Sequence, residues 1–121
     1  GTDLTVFTSP GRQQFHPIHP KAGGNLNGSG TPAFRSGDVG MGAVTDNGAG
    51  NYTLGLDTAF SDTNYWCAAW GRDTTSNNHA LVSAGPAFTK TTSAFQIVVS
   101  LFGSGGIDST EVGISFWGDY A

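Results

Sequence analysis

Residues 20–65 read PKAGGNLNGSGTPAFRSGDVGMGAVTDNGAGNYTLGLDTAFSDTNY, a dense succession of turn and strand patterns. Short apolar and β-branched runs alternate there with clusters of Gly, Asn and Asp, the residue types that tight turns require. The hairpin with the strongest signal crosses DNGAG at 46–50, because Asn-Gly accepts the positive φ values of a tight reversal. The stretch therefore predicts consecutive antiparallel strands.

The same pattern continues over the whole chain, and no helical periodicity of useful length interrupts it. The chain has 121 residues, of which 19 are glycines, and one core can be built from this length. We predict a single all-β domain over 1–121, an antiparallel, jelly-roll-like β-sandwich of about seven or eight strands. The predicted strands cover 4–8, 32–36, 39–45, 51–57, 64–71, 79–83, 94–102 and 111–117.

Residues 9–30 are rich in proline and glycine and contain few residues that favour a strand ladder. They predict a long extended segment that crosses the surface. A loop of this length in a compact domain is usually functional or packs against something outside the monomer.

The strand predicted at 64–71 is apolar on both faces. Tyr65, Cys67 and Ala69 point one way, while Trp66, Ala68 and Trp70 point the other. The strand at 94–102 similarly has one apolar and one mixed face. A sandwich covers only one face of each strand. We therefore predict that the second face is covered by the 9–30 segment or by a partner subunit in a homo-oligomer.

Charge and cysteine content restrict the function class. The net charge of −4, with 12% charged residues, gives no footprint for nucleic acid or an anionic membrane, and no apolar run is long enough for membrane insertion. The single cysteine, Cys67, excludes an intrachain disulfide and is interpreted as a buried small hydrophobe.

Catalytic and metal-binding patterns are weak. His16 and His19 form a His-x-x-His pair that could bind a metal only if His79, a carboxylate or a symmetry mate completed the site, so solvated or packed histidines are the favoured interpretation. The sequence has no nucleophile elbow, its aspartates stand in turn contexts, and its glycine-rich pieces lack a phosphate-binding spacing. We predict no enzyme activity, no cofactor and no metal.

With these classes excluded, non-covalent binding of a ligand is the function that the sequence favours. Sugar sites combine aromatic rings, which cover the apolar side of a pyranose, with amides, carboxylates and guanidinium groups that bond its hydroxyls. A plain polar turn and a core or interface tryptophan are the competing interpretations. The candidate ligand-binding residues are Arg72, Asp73, Asn77 and Asn78 in the loop after the tryptophan strand, with Trp70, Trp117 and Tyr120.

Three pieces of the opening stretch resemble the C-terminal domain of bacteriophage tail-fibre and spike proteins. They are Lys21-Ala22 with NLNGSGT at 25–31, TDNGAGNYT at 45–53 and FSDTNY at 60–65, and the likeness continues more loosely into the C-terminal part. Gly23-Gly24 departs from the family, which tends to have a large residue followed by Val there.

The resemblance implies a trimeric β-sandwich in the virion, made in the cytoplasm of the host bacterium. Its partners would be other copies of the chain, other virion proteins and a host-surface glycan or other receptor, bound without covalent chemistry through several weak sites. Three alternatives remain open: a purely structural virion module for trimerisation or capsid decoration, a stand-alone carbohydrate-binding or lectin-like module, and, as the least favoured, a small enzyme that would release reducing ends from host polysaccharide.

Overall fold

The computed structural model describes residues 19–72, 80–84, 89–101 and 105–120. These residues form eight β-strands and no helix. The strands make two four-stranded sheets in which all pairings between strands are antiparallel. The prediction of an all-β sandwich is confirmed.

The first sheet, sheet A, has the order β2-β1-β8-β5, and the second, sheet B, has the order β3-β4-β7-β6. The strands are β1 (Ala22–Asn27), β2 (Ala33–Phe34), β3 (Met41–Gly48), β4 (Asn51–Leu56), β5 (Trp66–Gly71), β6 (Ala80–Ser83), β7 (Ala94–Leu101) and β8 (Val112–Trp117).

Seven predicted strands overlap β2 to β8, with shifts of a few residues at their ends. The largest shift affects β3, predicted over 39–45. It begins at Met41 because Gly40 has a φ of +66°, a left-handed value that breaks the extended backbone after Val39. The strand predicted at 4–8 lies outside the described residues.

The predicted surface segment at 9–30 requires a correction, because its residues 22–27 form β1. This strand lies inside sheet A, between β2 and β8, and its Leu26 is fully buried. Gly23 and Gly24 suggested a loop, yet close packing requires them: a Cβ on Gly23 would lie 2.7 Å from the Ile114 carbonyl oxygen. Residues 9–18 lie outside the described residues.

The core lies between the two sheets and follows the alternation of the strands. In β4 and β7 every second side chain is buried, and the inner side chains of β1 and β8 complete the cluster. Aromatic rings dominate one region, where Phe60 stacks on Tyr65 at 4.3 Å between centroids and Phe95 meets Phe116 edge-on at 5.4 Å. Burial of each such large side chain contributes about 1.5–3 kcal/mol.

The motif residues of 20–65 mainly build turns. The Asp46 carboxylate accepts a hydrogen bond from the Gly48 amide at 3.0 Å, and Asp62 accepts one from the Asn64 amide at 2.8 Å. Tyr52, at the end of the hairpin, is fully buried, and its hydroxyl donates to Asp108 Oδ1 at 2.7 Å. These side chains are occupied in holding the fold and are therefore poor candidates for binding a ligand.

Candidate functional site

All three tryptophans of the chain lie on the outer face of sheet A. Trp66 and Trp70 are on β5, and Trp117 is paired opposite Trp66 on β8. Because side chains alternate along a strand, Trp66 and Trp70 point away from the core, while Cys67 between them packs against it. Trp66 remains 58% exposed and Trp70 54% exposed, so the described chain covers neither of them.

Trp66 and Trp117 form a stacked pair. Their ring centroids are 4.5 Å apart and their planes differ by 10°. The register places these residues directly opposite each other, and aromatic cross-strand pairs of this kind stabilise a sheet. The pair forms a flat aromatic platform at one end of the face.

Trp70 lies across the neighbouring strand. It is paired with Gly113, and a Cβ added to Gly113 would overlap the indole atoms of Trp70. Gly113 is buried although it belongs to the outer face, since the indole ring covers it. The missing side chain at Gly113 thus allows Trp70 to lie down over β8.

Small residues separate the two aromatic ends. Ala68 of β5 is opposite Ser115 of β8, and Ser115 is next to Gly23 of β1. An open depression of about 380 Å³ extends from this floor to Asn25 and Trp70. We call the outer surface formed by Trp66, Ala68, Trp70, Gly113, Ser115 and Trp117 the tryptophan face.

A polar cluster adjoins the Trp70 end of the tryptophan face. Asn25, which is paired with Gly113, donates from Nδ2 to Glu111 Oε1 at 3.1 Å. Arg72 Nη1 lies 3.4 Å from Glu111 Oε2, and Arg35 Nη2 donates to the Thr110 carbonyl oxygen at 2.7 Å. We call Asn25, Arg35, Arg72 and Glu111 the Arg–Glu cluster.

The Arg–Glu cluster keeps its carboxylate charged. The hydrogen bonds from Asn25 and then from Arg72 lower the pKa of Glu111, so it is ionised at neutral pH. The side-chain oxygen Oδ1 of Asn25 is buried and has no hydrogen-bond partner within the described part of the chain. The cluster therefore presents charges held in place beside an exposed indole ring.

The structure brings together three of the predicted site residues. Trp70 and Trp117 belong to the tryptophan face, and Arg72 belongs to the adjoining Arg–Glu cluster. Tyr120 has another role: its ring lies 5.5 Å from that of Phe60, and its hydroxyl donates to the Lys21 carbonyl oxygen. Burial raises the pKa of Tyr120, as expected for a packed phenol. The predicted contacts Asp73, Asn77 and Asn78 lie outside the described residues.

Only one of the three histidines lies in the described part of the chain, and it belongs to no metal site there. His19 is exposed, whereas His16 and His79 lie outside the described residues. In the described ranges, no group of three or more His, Cys, Asp or Glu side chains could hold a metal ion. Cys67 is half-buried and burial raises its thiol pKa, which agrees with a packing role.

Sequence reasoning missed four residues of the site. Trp66 is not among the predicted ligand contacts, although its position four residues before Trp70 indicates that both rings share one surface. Asn25 was missed together with β1. Arg35 and Glu111 gave no local signal, since they meet only through the pairing of β1 with β8 and β2.

Comparisons with family models, with curated proteins and with solved structures gave no match. Within the ranges that the structure describes, no helix is long and apolar enough to cross a membrane. The function is therefore inferred from the geometry of the tryptophan face and from the motifs in 20–65.

Proposed function

We propose that this chain is the distal domain of a bacteriophage tail fibre or spike, and that its tryptophan face binds a saccharide of the host surface without covalent chemistry. One observation carries the binding proposal: all three tryptophans share one outer face, and two of them are more than half exposed. The motifs at 25–31, 45–53 and 60–65, which resemble those of tail-fibre domains, support the virion context.

The chemistry of the face suits a sugar. A pyranose has an apolar side of C–H groups that packs on an aromatic ring, and hydroxyl groups that need polar partners around its rim. Trp70 offers the ring, while Asn25, Glu111 and Arg72 offer an amide, a carboxylate and a guanidinium group beside it. Both kinds of contact are therefore available to one bound ligand.

The face is also fixed before any ligand arrives. Trp66 is held by its stack on Trp117, and Glu111 is held by Asn25 and Arg72. Side chains that are already positioned lose little conformational freedom on binding, which favours affinity. An exposed apolar patch rimmed by polar groups is typical of an interaction surface.

In the proposed virion, several copies of the domain act together. Weak individual sites on a trimeric fibre would give strong attachment through effective concentration. The other partners would be neighbouring virion proteins.

A glycan array tests the proposal. We expect the purified protein to bind a subset of glycans, and Trp70→Ala to weaken that binding about thirtyfold, the effect of losing a contact of about 2 kcal/mol. Leu81→Ala is the matched control, since Leu81 is a 47% exposed apolar side chain on β6 of the other sheet. Absence of glycan binding, or binding that Trp70→Ala leaves unchanged, would contradict the proposal.

A structural virion module is the second candidate, because the same exposed surface could be buried between copies. Val39, paired with Gly23 at the edge of the face, is 64% exposed and extends the apolar surface beyond the tryptophans. Light scattering separates the candidates: a trimer that dissociates in Trp70→Ala and binds no glycan indicates a trimerisation module. A monomer that binds glycans indicates a stand-alone carbohydrate-binding module.

A further inference from the structure

We infer that the tryptophan face takes an acidic oligosaccharide, with sugar rings on its two aromatic ends and a carboxylate of the ligand on Arg35 and Arg72. This inference rests on the proposed function, since it names the class of saccharide that the same face would bind.

Both arginines in the described part of the chain, Arg35 and Arg72, are exposed and lie at the Trp70 end of the tryptophan face. The other described cations are engaged elsewhere: Lys21 is buried, and Lys90 donates to the Tyr65 carbonyl oxygen at 2.7 Å and lies over the Tyr65 ring. Arg35 donates to the Thr110 carbonyl oxygen, and Arg72 pairs with the carboxylate of the next residue, Glu111. The cations available for a ligand are therefore concentrated beside Trp70.

The Arg–Glu cluster carries an excess of positive charge. It contains two guanidinium groups and one carboxylate, that of Glu111, in a chain whose net charge is −4. Arg35 uses one side-chain N–H in its bond to Thr110, although a guanidinium group has five donors in a planar fork that matches a carboxylate. A ligand carboxylate beside Trp70 would offset this excess charge.

The length of the site favours a chain of sugars. Trp66 and Trp70 are four residues apart on β5, a separation of about 13 Å along an extended strand. One six-membered ring covers only one of these indoles. The small floor at Ala68 and Ser115 leaves room for further sugar rings between the aromatic ends.

The sequence of features follows β8. Every second residue of β8, and Glu111 just before it, points outward. Trp117 belongs to the stacked platform and Ser115 to the floor. Gly113 lies under Trp70, and Glu111 belongs to the charged end. This track spans about 20 Å, the length of six residue steps in an extended chain. An oligosaccharide on the track would meet the two arginines at one end only, so its orientation would be fixed.

The test uses sialylated and uronic-acid oligosaccharides together with their carboxyl-reduced counterparts, which keep the sugar rings and lose the charge. We expect the acidic member of a pair to bind at least about tenfold more tightly, the effect of a charge-assisted hydrogen bond. Arg35→Gln and Arg72→Gln should each weaken binding of the acidic member several times more than binding of the reduced member. Added salt should weaken the acidic member selectively.

Equal affinity for acidic and reduced oligosaccharides, or acidic binding that neither arginine variant weakens, would overturn the inference. If neutral and acidic glycans bind equally well and Trp70→Ala abolishes binding of both, the proposed function stands and the acidic class is wrong. If no glycan of either class binds, both proposals are wrong. Circular dichroism of each variant excludes loss of folding as the cause.

Discussion

The outer faces of the two sheets differ in the side chains they carry and in the hydrogen bonds that these side chains make. On sheet B, Asn47 donates to Thr53 at 2.8 Å, and Gln96 donates to Asn51 at 2.8 Å and accepts from the Thr89 amide at 3.1 Å. On sheet A the corresponding surface carries exposed tryptophans beside a cluster with excess positive charge. These polar side chains of sheet B, the polar ladder, bond one another within the described chain, whereas Trp66 and Trp70 on sheet A keep more than half of their surface exposed.

Because of this difference, we place the ligand-binding site on sheet A alone. Polar side chains that bond one another stabilise the strand pairing and have fewer groups to offer a sugar. Exposed indole rings have no partner for much of their surface, and burying that surface is favourable at about 25 cal/mol per Å². The comparison predicts that substitutions on the two faces have separable effects on binding and on stability.

The largest expected contrast comes from two glycines that face outward on the two sheets. In Gly113→Ala the new methyl group meets the indole ring of Trp70, which can swing away, so we expect about tenfold weaker glycan binding, equivalent to about 1.4 kcal/mol. In Gly55→Ala the methyl group would lie 2.9 Å from the Ala43 carbonyl oxygen, which belongs to the backbone. We expect Gly55→Ala to lower the free energy of unfolding by about 1–3 kcal/mol.

Isothermal titration calorimetry and urea unfolding measure these two effects. Gly55→Ala should retain the affinity of the parent chain, and Gly113→Ala should retain most of its stability. A Gly113→Ala protein that binds glycans normally would mean that the position of Trp70 is irrelevant to the site.

A smaller effect is expected from Asn51→Ala, which removes the acceptor for Gln96 from the polar ladder. Loss of this hydrogen bond should lower the free energy of unfolding by about 1 kcal/mol, measured by urea titration. Glycan affinity should not change, because Asn51 is on sheet B. Weakened binding in this variant would show that the two faces are not independent.

The smallest expected effect is a difference in acid sensitivity. The folded pKa of Glu111 is lowered by Asn25 and Arg72, so its stabilising contribution is present above its unfolded pKa of about 4.3 and is lost as pH falls through the folded value. Glu111→Gln should therefore make stability fall less steeply with decreasing pH, by a small amount because the Glu111 side chain is only partly buried and solvent screens its charge.

Urea unfolding at about pH 3 and about pH 5 measures this slope. Asn51→Ala serves as the control and should keep the slope of the parent chain, since the asparagine, threonine and glutamine side chains of its ladder do not titrate. Asp108, whose pKa is also lowered, contributes equally to all three proteins. Identical slopes in Glu111→Gln and the parent would contradict the role given to the Arg–Glu cluster.

Local pattern predicted most of the fold, and its failure at β1 is instructive. Alternation and turn residues are properties of neighbouring residues, so β4 and β7 could be predicted closely from their sequences. Gly23 and Gly24 give no local sign of a strand, because the reason that they must be small lies in distant parts of the chain. They are small where the backbone of β8 and the side chains of Phe34 and Asp38 come close.

The candidate site was predictable only in part. Alternation indicated that Trp66 and Trp70 share a face, but it could not determine whether that face is covered, which depends on the sheet order. The Arg–Glu cluster joins four separate parts of the chain, with Asn25 and Glu111 separated by 86 positions. No local pattern reports such a pairing, so Asn25, Arg35 and Glu111 emerged only from the strand register, whereas Arg72 was predicted from its place after the tryptophan strand.

The most direct test of the central claim is a two-dimensional ¹H–¹⁵N NMR titration of the chain with a glycan bound on the array. All three tryptophan indole N–H groups belong to the tryptophan face, so each is a reporter of it. We predict that the indole signals of Trp70 and of the Trp66–Trp117 stack shift with the ligand, while the backbone amides of β4 stay in place. Shifts confined to sheet B, with the three indole signals unchanged, would contradict the account.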